Sequence, residues 1–144
     1  MKTLIASIAF VLMSPLVWLT DFETAKATAA SENKYILLNF SGSDWCGPCI
    51  KLKKEVFESE TFNTLAEKKL VMVRADFPRA KKNQLPEALV KHNEALAEKY
   101  NPDGKFPLTL LLDSNGKILK SWDGYTFGSQ DKFISDLEKS LATK

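Results

Sequence analysis

Cysteine and histidine are scarce in this chain of 144 residues, which contains two cysteines and one histidine. A disulfide staple is not needed to stabilise the fold, because a chain of this length with 44% hydrophobic residues can build a core without one. A structural zinc site normally has four ligands, which the two cysteines and His92 cannot supply together. We therefore predict no metal site, and we place His92 on the surface of a helix.

A strong excess of charge is also missing, since the net charge is only +2 and lysine and glutamate are scattered along the chain. A nucleic-acid-binding domain would be expected to cluster basic residues on one face, so we predict no nucleic-acid partner. We interpret the short basic run at residues 79–82 as loop surface, with a role in partner binding as the alternative. There is no repeat and no low-complexity linker, which indicates a single domain.

Long hydrophobic runs are limited to the N-terminus, where Lys2 precedes an apolar stretch at residues 4–13. A positive start followed by a short apolar run predicts a secretory signal peptide, since the run is shorter than a typical membrane-spanning helix. A buried N-terminal helix is the alternative. Export would place the protein in the periplasm or another extracytoplasmic compartment, where disulfide chemistry takes place.

The boundary of this targeting segment is set by the helix that follows it. Residues 27–29 have the small-x-small form of a cleavage site, but a cut there would remove a helix that we assign to the domain. We therefore predict a cut near residues 13–16, or an uncleaved N-terminal membrane anchor. The division is a signal peptide or anchor at residues 1–16 and one domain at residues 17–144.

Apolar patterning predicts the elements of this domain. Strands are expected at residues 35–40, 70–76, 107–112 and 117–122. Helices are expected at residues 20–31, directly after residue 49, and at residues 60–68, 86–100 and 129–141. Thr20 and Glu23 fit a capping box, Ser129 can cap the last helix, and Asn115-Gly116 is a strong hairpin signal. Alternating strands and helices predict an α/β domain with a mixed central sheet, in which a parallel part is extended by a C-terminal antiparallel hairpin.

Both cysteines lie in the motif Trp45-Cys46-Gly47-Pro48-Cys49, between a predicted buried strand and a predicted helix. Free N–H groups and the helix dipole favour an anion there, so we expect a lowered pKa for the Cys46 thiol and an attacking role for Cys46. Cys49 lies one turn later and deeper, where it can resolve a mixed disulfide. Pro48 fixes the backbone between the cysteines, and Gly47 leaves the sulfur accessible.

Two other interpretations of this motif remain open. A structural disulfide is one, although a staple across so few residues removes little chain entropy from the unfolded state. A redox-inactive domain that only binds partners is the other, although such a domain would not need both cysteines.

The motif and its surroundings resemble the thioredoxin superfamily. The resemblance covers residues 18–144 and rests on Leu38-Asn39-Phe40, the Cys46-Gly47-Pro48-Cys49 motif with its helix, and Phe106-Pro107-Leu108-Thr109 before an apolar strand. The segment at residues 75–104 and the loop at residues 41–44 are similar to those of exported bacterial thioredoxin-like proteins, including disulfide-isomerase-like ones. The resemblance implies a thioredoxin-like fold.

The resemblance also implies roles for residues outside the motif. Pro107 matches the family's cis-proline, and Phe106 and Pro107 would lie beside Cys46 and pair with an extended substrate segment. Trp45 would belong to the docking surface, with core packing as the alternative. Asn39 occupies the position of a buried aspartate in the family, and an asparagine cannot act as a general base. Asp76 is a candidate substitute in proton relay, and capping of the strand end is its alternative.

We therefore predict a thiol–disulfide oxidoreductase that reduces or isomerises disulfides in protein substrates through a mixed disulfide. The expected site residues are catalytic Cys46 and Cys49, substrate-binding Trp45, Gly47, Pro48, Phe106 and Pro107, and Asp76 as a proton relay. We expect a monomer without cofactor or metal that depends on an external electron donor, with membrane contact only through an uncleaved anchor. The direction of the reaction depends on the reduction potential of the cysteine pair.

Overall fold

The computed structural model describes residues 16–142, so the predicted signal segment lies outside the described residues except for Leu16. One sheet holds five strands in the order β1-β3-β2-β4-β5. The strands are β1 Trp18–Leu19, β2 Tyr35–Ser41, β3 Leu70–Asp76, β4 Leu108–Leu112 and β5 Ile118–Asp123. The pairs β1–β3 and β3–β2 are parallel, whereas β2–β4 and β4–β5 are antiparallel. The predicted mixed sheet with a C-terminal hairpin is confirmed.

Within residues 16–142, five α-helices surround this sheet. They are α1 Phe22–Glu32, α2 Gly47–Leu52, α3 Glu60–Lys69, α4 Glu87–Tyr100 and α5 Gln130–Leu141. A π-helical turn, Lys53–Phe57, continues α2, and a 3-10 turn, Lys81–Asn83, precedes α4. Within residues 16–142, none of these helices is both long enough and apolar enough to cross a membrane.

The core has two halves, one on each face of the sheet. Alternate residues of β2 point to opposite faces, so Leu38 and Phe40 pack with α1 and α4, whereas Leu37 packs with α2, α3 and α5. Both halves are well packed, since Leu37 and Phe40 have no exposed surface. A sheet covered on both faces explains why β2 and β3 are almost continuously apolar.

Three local details differ from the sequence predictions. Asp21 rather than Thr20 caps α1, because its Oδ1 atom accepts the Thr24 N–H at 2.6 Å. His92 is half-buried rather than on the open surface, and its Nε2 atom accepts the Phe22 N–H at 3.2 Å. Ser129 precedes α5 but does not cap it with its side chain, since its hydroxyl donates to the Thr126 carbonyl.

The topology brings three loops together at one end of the strands. In the parallel pair, Ser41 at the end of β2 lies opposite Asp76 at the end of β3. In the antiparallel pair, Phe40 lies opposite Leu108 at the start of β4. The loop that leads into α2, the segment after Asp76 and the segment before Leu108 therefore meet at the carboxyl ends of the parallel strands, where α/β folds commonly place their sites.

Candidate active site

The two cysteines form a disulfide at the start of α2, with their Cα atoms 5.2 Å apart. Cys46 is the N-cap residue, and its Sγ atom accepts the Cys49 backbone N–H at 3.2 Å. In this oxidised form Cys46 and Cys49 are almost equally buried, with 5% and 4% of their surface exposed, so the expected difference in depth is not visible in exposure. Gly47 and Pro48 between them are exposed. A donor to Sγ at a helix N-terminus is an arrangement that favours a thiolate.

A neutral polar pair lies in the sheet behind the loop that leads to the disulfide. Asn39 is 2% exposed, and its Nδ2 atom donates to Thr109 Oγ1 at 3.1 Å across the β2–β4 pair. At the end of β2, the Gly42 N–H points to Cys49 Sγ at 3.5 Å. The position that the resemblance assigns to a buried aspartate is therefore occupied by an amide that already has a hydrogen-bond partner.

Trp45 is half-buried and packs closely against its own loop. Its Nε1 atom donates to the Phe77 carbonyl at 2.7 Å. Gly42 lies directly beneath the indole, and a Cβ atom there would come within 2.3 to 2.7 Å of three indole atoms. Trp45 belongs to neither half of the core, so its packing is against its own loop and the segment after β3 rather than the core packing given as the alternative.

Phe106 and Pro107 are joined by a cis peptide bond, in agreement with the expected cis-proline. Pro107 is buried and its carbonyl accepts the Gly124 N–H at 2.8 Å. The Phe106 ring meets the rings of Trp45 and Phe77 edge to face, with centroids 5.4 and 5.5 Å apart. These aromatic contacts connect the three loops that the topology brings together.

Asp76 caps the neighbouring loop, as its alternative interpretation proposed. One carboxylate oxygen accepts the backbone N–H groups of Ser43 and Phe77 at 2.9 and 3.0 Å, and the other accepts the Ser43 hydroxyl. Within residues 16–142, no hydrogen bond joins Asp76 to either cysteine. These contacts make Asp76 part of the framework beneath the motif.

Asp44 also belongs to the site, and the sequence analysis did not identify it. Its carboxylate accepts the backbone N–H groups of Arg79 and Ala80 and the Asn83 side-chain amide, each at 2.9 Å. These hydrogen bonds, led by the one from Arg79, hold the pKa of Asp44 below its usual value. An aspartate directly before Trp45 was the available signal, but its partners lie 35 or more positions away in the sequence.

Glu55, in the π-helical turn, is a second residue that the sequence analysis missed. Its Oε2 atom accepts the Tyr125 hydroxyl at 2.6 Å and the Gly128 N–H at 3.2 Å. The bond from Tyr125 lowers the pKa of Glu55, while burial and the same bond raise the pKa of Tyr125 to about 12. The loop that Glu55 holds presents Phe127, which is 72% exposed, with the Lys51 ammonium 4.9 Å from its ring centroid.

No group of three or more cysteine, histidine or acidic side chains in residues 16–142 is arranged to hold a metal ion. The reactive group at this end of the sheet is the cysteine pair. In its reduced dithiol form, the cysteine pair can pass two electrons to a disulfide that docks beside it, and in the oxidised form described here it can accept two electrons from a dithiol.

Comparisons with known proteins agree with this geometry. The Thioredoxin-like family matches residues 17–114. The disulfide bond reductase DsbH of Chlamydia pneumoniae is 36% identical over 121 residues, which are 84% of this chain and 70% of that protein. A solved structure of a DsbH oxidoreductase is 30% identical, superposes with a TM-score of 0.76, and the match covers 91% of this chain and 88% of that one.

A thioredoxin from Thermus thermophilus shares the fold at 17% identity, with a TM-score of 0.65 over 90% of this chain and 89% of its own. The family match spans both the disulfide and the cis-proline, which are the features that the site geometry brings together. The chain belongs to the thioredoxin-like family.

Proposed function

We propose that this protein is a thiol–disulfide oxidoreductase that reduces disulfides in protein substrates. The observation that carries the proposal is the Cys46–Cys49 disulfide at the start of α2, in a fold shared with a protein named as a disulfide bond reductase. A structural staple across three positions would remove little entropy from the unfolded chain. An exchange centre, by contrast, needs two sulfurs this close together.

In the first step the reduced Cys46 thiolate attacks one sulfur of the substrate disulfide. A bond forms between Cys46 Sγ and that sulfur, the substrate S–S bond breaks, and the second substrate sulfur leaves as a thiolate that takes a proton from water. The Cys49 N–H, which lies 3.2 Å from Cys46 Sγ in the oxidised form, supports the negative charge before attack.

In the second step the Cys49 thiolate attacks Cys46 Sγ and releases the remaining substrate thiolate. Two electrons have then passed from the dithiol to the substrate, and the protein has the disulfide described above. An external dithiol donor must reduce this disulfide before another turnover. Neither Asn39 nor the Asp76 carboxylate, which is engaged in the loop, provides an evident base, so we propose that water takes the Cys49 proton.

The substrate would dock on Trp45, Gly47, Pro48, Phe106 and Pro107. Gly47 and Pro48 are exposed, and the half-buried rings of Trp45 and Phe106 lie in contact beside them. An extended substrate segment would pair with the backbone just before β4, in the manner of an added strand. This pairing would bring the substrate sulfur to Cys46.

We further propose that residues 1–16 direct export and that the domain begins at residue 17. β1 begins at Trp18 and pairs with β3, and the α1 residues Ala25 and Ala29 are fully buried. A cut at residues 27–29 would remove these contacts, so an earlier cut or an uncleaved anchor agrees better with a folded domain. The domain would then act as an extracytoplasmic monomer.

Two substitutions test the redox function. Cys46→Ser is expected to abolish reduction of a disulfide-containing protein, and Cys49→Ser is expected to trap covalent mixed disulfides through Cys46, because the resolving thiol is missing. The readouts are substrate thiol release and non-reducing electrophoresis of the Cys49→Ser protein. If Cys46→Ser left the protein's function intact and Cys49→Ser trapped no partner, the redox-inactive partner-binding module would be the better description.

A further inference from the structure

We propose that the segment at residues 77–84, here called the basic loop, selects disulfide-bearing substrate segments that have acidic residues beside the cysteine. The inference rests on the proposed function, since it concerns the substrate of the same site. It gives a role to the basic run at residues 79–82, which takes no part in the cysteine chemistry.

The basic loop is held rigidly against the cysteine motif. Asp44 accepts two of its backbone N–H groups and the Asn83 side chain, and Trp45 donates to the Phe77 carbonyl. Its first residue is also tied to the sheet, because the Phe77 N–H donates to the Ser41 carbonyl at 2.9 Å. The two residues that directly precede Cys46 thus fix where the loop lies, as a specificity element requires.

Arg79 directly contacts the docking surface through Trp45. Its Cζ atom lies 3.7 Å from the centroid of the Trp45 ring, so the guanidinium stacks on the side chain that borders the disulfide. Only its backbone N–H is used by Asp44, which leaves the side chain of this exposed residue able to bind a carboxylate through its planar fork.

The charges around the basic loop are arranged with the cations outward. Arg79, Lys81 and Lys82 are exposed, and none of them forms an ion pair within residues 16–142. The carboxylate oxygens of Asp44 and Asp76 accept hydrogen bonds from the protein itself. Arg79, which stacks on Trp45, is therefore placed to pair with an acidic side chain of a docked segment.

These charges would affect which substrates the protein prefers and how fast those substrates associate with it. An acidic side chain next to the substrate cysteine would pair with Arg79 while the sulfur approaches Cys46, and a basic side chain would be repelled. Because these charges are exposed, the preference should weaken when added salt shortens the screening length. Peptides that differ only in this side chain should then differ in rate at low salt.

The test uses the pre-reduced full-length chain in single turnover with three disulfide-linked peptide dimers, identical except for Glu, Gln or Lys beside the cysteine. We expect the second-order rate constant to be about fivefold higher for the Glu peptide than for the Lys peptide at low salt, with the ratio falling toward one in about 0.5 M salt. Protein oxidation is followed by thiol alkylation.

Arg79→Gln should reduce this Glu-to-Lys ratio by about half or more, and Arg79→Glu should invert it. Both variants keep the backbone N–H that binds Asp44, so the loop stays attached. Lys68→Gln is the matched control. Lys68 lies near the end of α3, two residues before β3 begins at Leu70, whereas Asp76 is at the other end of β3. Its substitution should therefore leave the ratio unchanged.

The outcomes distinguish the substrate preference from the proposed redox function. Equal rates for the Glu and Lys peptides would overturn the inference and leave the proposed function standing. A Glu-to-Lys ratio that Arg79→Gln does not change would also overturn the inference. So would a ratio that Lys68→Gln lowers as much as Arg79→Gln does, since the net charge of the protein would then explain the preference. Failure to reduce even the Gln peptide would contradict the proposed function and, with it, this inference.

Discussion

At the scale of a single residue, Asn39 raises the question of which group accepts the Cys49 proton. The resemblance implies a buried acid at this position, where this chain has an amide. The side chain is 2% exposed and donates to Thr109, so the position keeps a polar, satisfied group that does not titrate. The second exchange step would then proceed without a buried base, at a rate set by the ionisation of Cys49 in contact with water.

We predict that Asn39→Asp speeds the resolving step by about tenfold or more, because a buried carboxylate can accept the Cys49 proton. Burial raises the pKa of such a carboxyl group, so the gain should grow with pH as the group ionises, and folding stability should fall by about 1–3 kcal/mol. The measurement is the rate of product release from a preformed mixed disulfide between pH 6 and 9. Thr109→Val is the control, since it removes the partner of Asn39 without adding an acid. An Asn39→Asp rate equal to wild type at every pH would contradict the prediction.

At the level of elements, Glu55 connects the active-site helix to the loop before α5. It lies in the π-helical turn that continues α2, and it accepts hydrogen bonds from Tyr125 and Gly128. The loop between β5 and α5 is thereby held beside the helix that Cys46 caps and that contains Cys49. Its attachment should therefore depend on the ionisation of Glu55.

We predict that Glu55→Gln lowers stability at neutral pH and that its difference from wild type disappears in acid. The Tyr125 hydroxyl and the Gly128 N–H lower the pKa of Glu55 in the folded protein. The stabilisation is therefore present above the ordinary glutamate pKa of about 4.5 and is lost as the pH falls through the folded value. Chemical unfolding between pH 3 and 8 measures it, and a difference that persists undiminished at pH 3 would contradict it.

Tyr125→Phe is the companion variant, with a second window in alkali. The pKa of Tyr125 is raised to about 12, so the corresponding stabilisation is present below the ordinary tyrosine pKa of about 10 and is lost as the pH rises toward 12. Both variants should also loosen the loop that presents Phe127.

The reduction potential belongs to the whole molecule, because it measures how much the complete fold stabilises the disulfide relative to the dithiol. The cysteine pair lies at the start of α2, after the loop that follows β2. Each 30 mV in a two-electron potential corresponds to about 1.4 kcal/mol, so modest packing differences move the protein between reductase and oxidant.

We predict a reduction potential of about −230 mV or lower for the Cys46–Cys49 pair, since the proposed reductase must donate electrons to substrate disulfides. Equilibration of the full chain against a dithiothreitol or glutathione series, followed by thiol alkylation, gives this value. A potential near −120 mV would instead indicate an oxidant, and refolding of a scrambled disulfide protein would then be the assay to use.

Much of this structure could be predicted because its signals are local. The continuous apolar run of β2, the helical spacing after Pro86 and the Asn115-Gly116 turn each depend on neighbouring residues, and each element was found close to its predicted bounds. β1 was missed, since a strand of two residues has no periodicity to detect. The cap of α1 was misplaced by one residue, because Thr20 and Asp21 are both good capping residues and only the backbone path chooses between them.

Periodicity and residue spacing are local signals, and they suffice to place both cysteines between a buried strand and a helix and to order the longer elements. The hydrogen bonds by which Asp44 holds the basic loop, Asp76 caps the loop before the motif and Glu55 holds the loop before α5 become visible only in the folded chain. Each of these contacts joins residues 33 or more positions apart. Such pairs form only when the sheet brings the ends of its strands to a common edge, which no local pattern encodes.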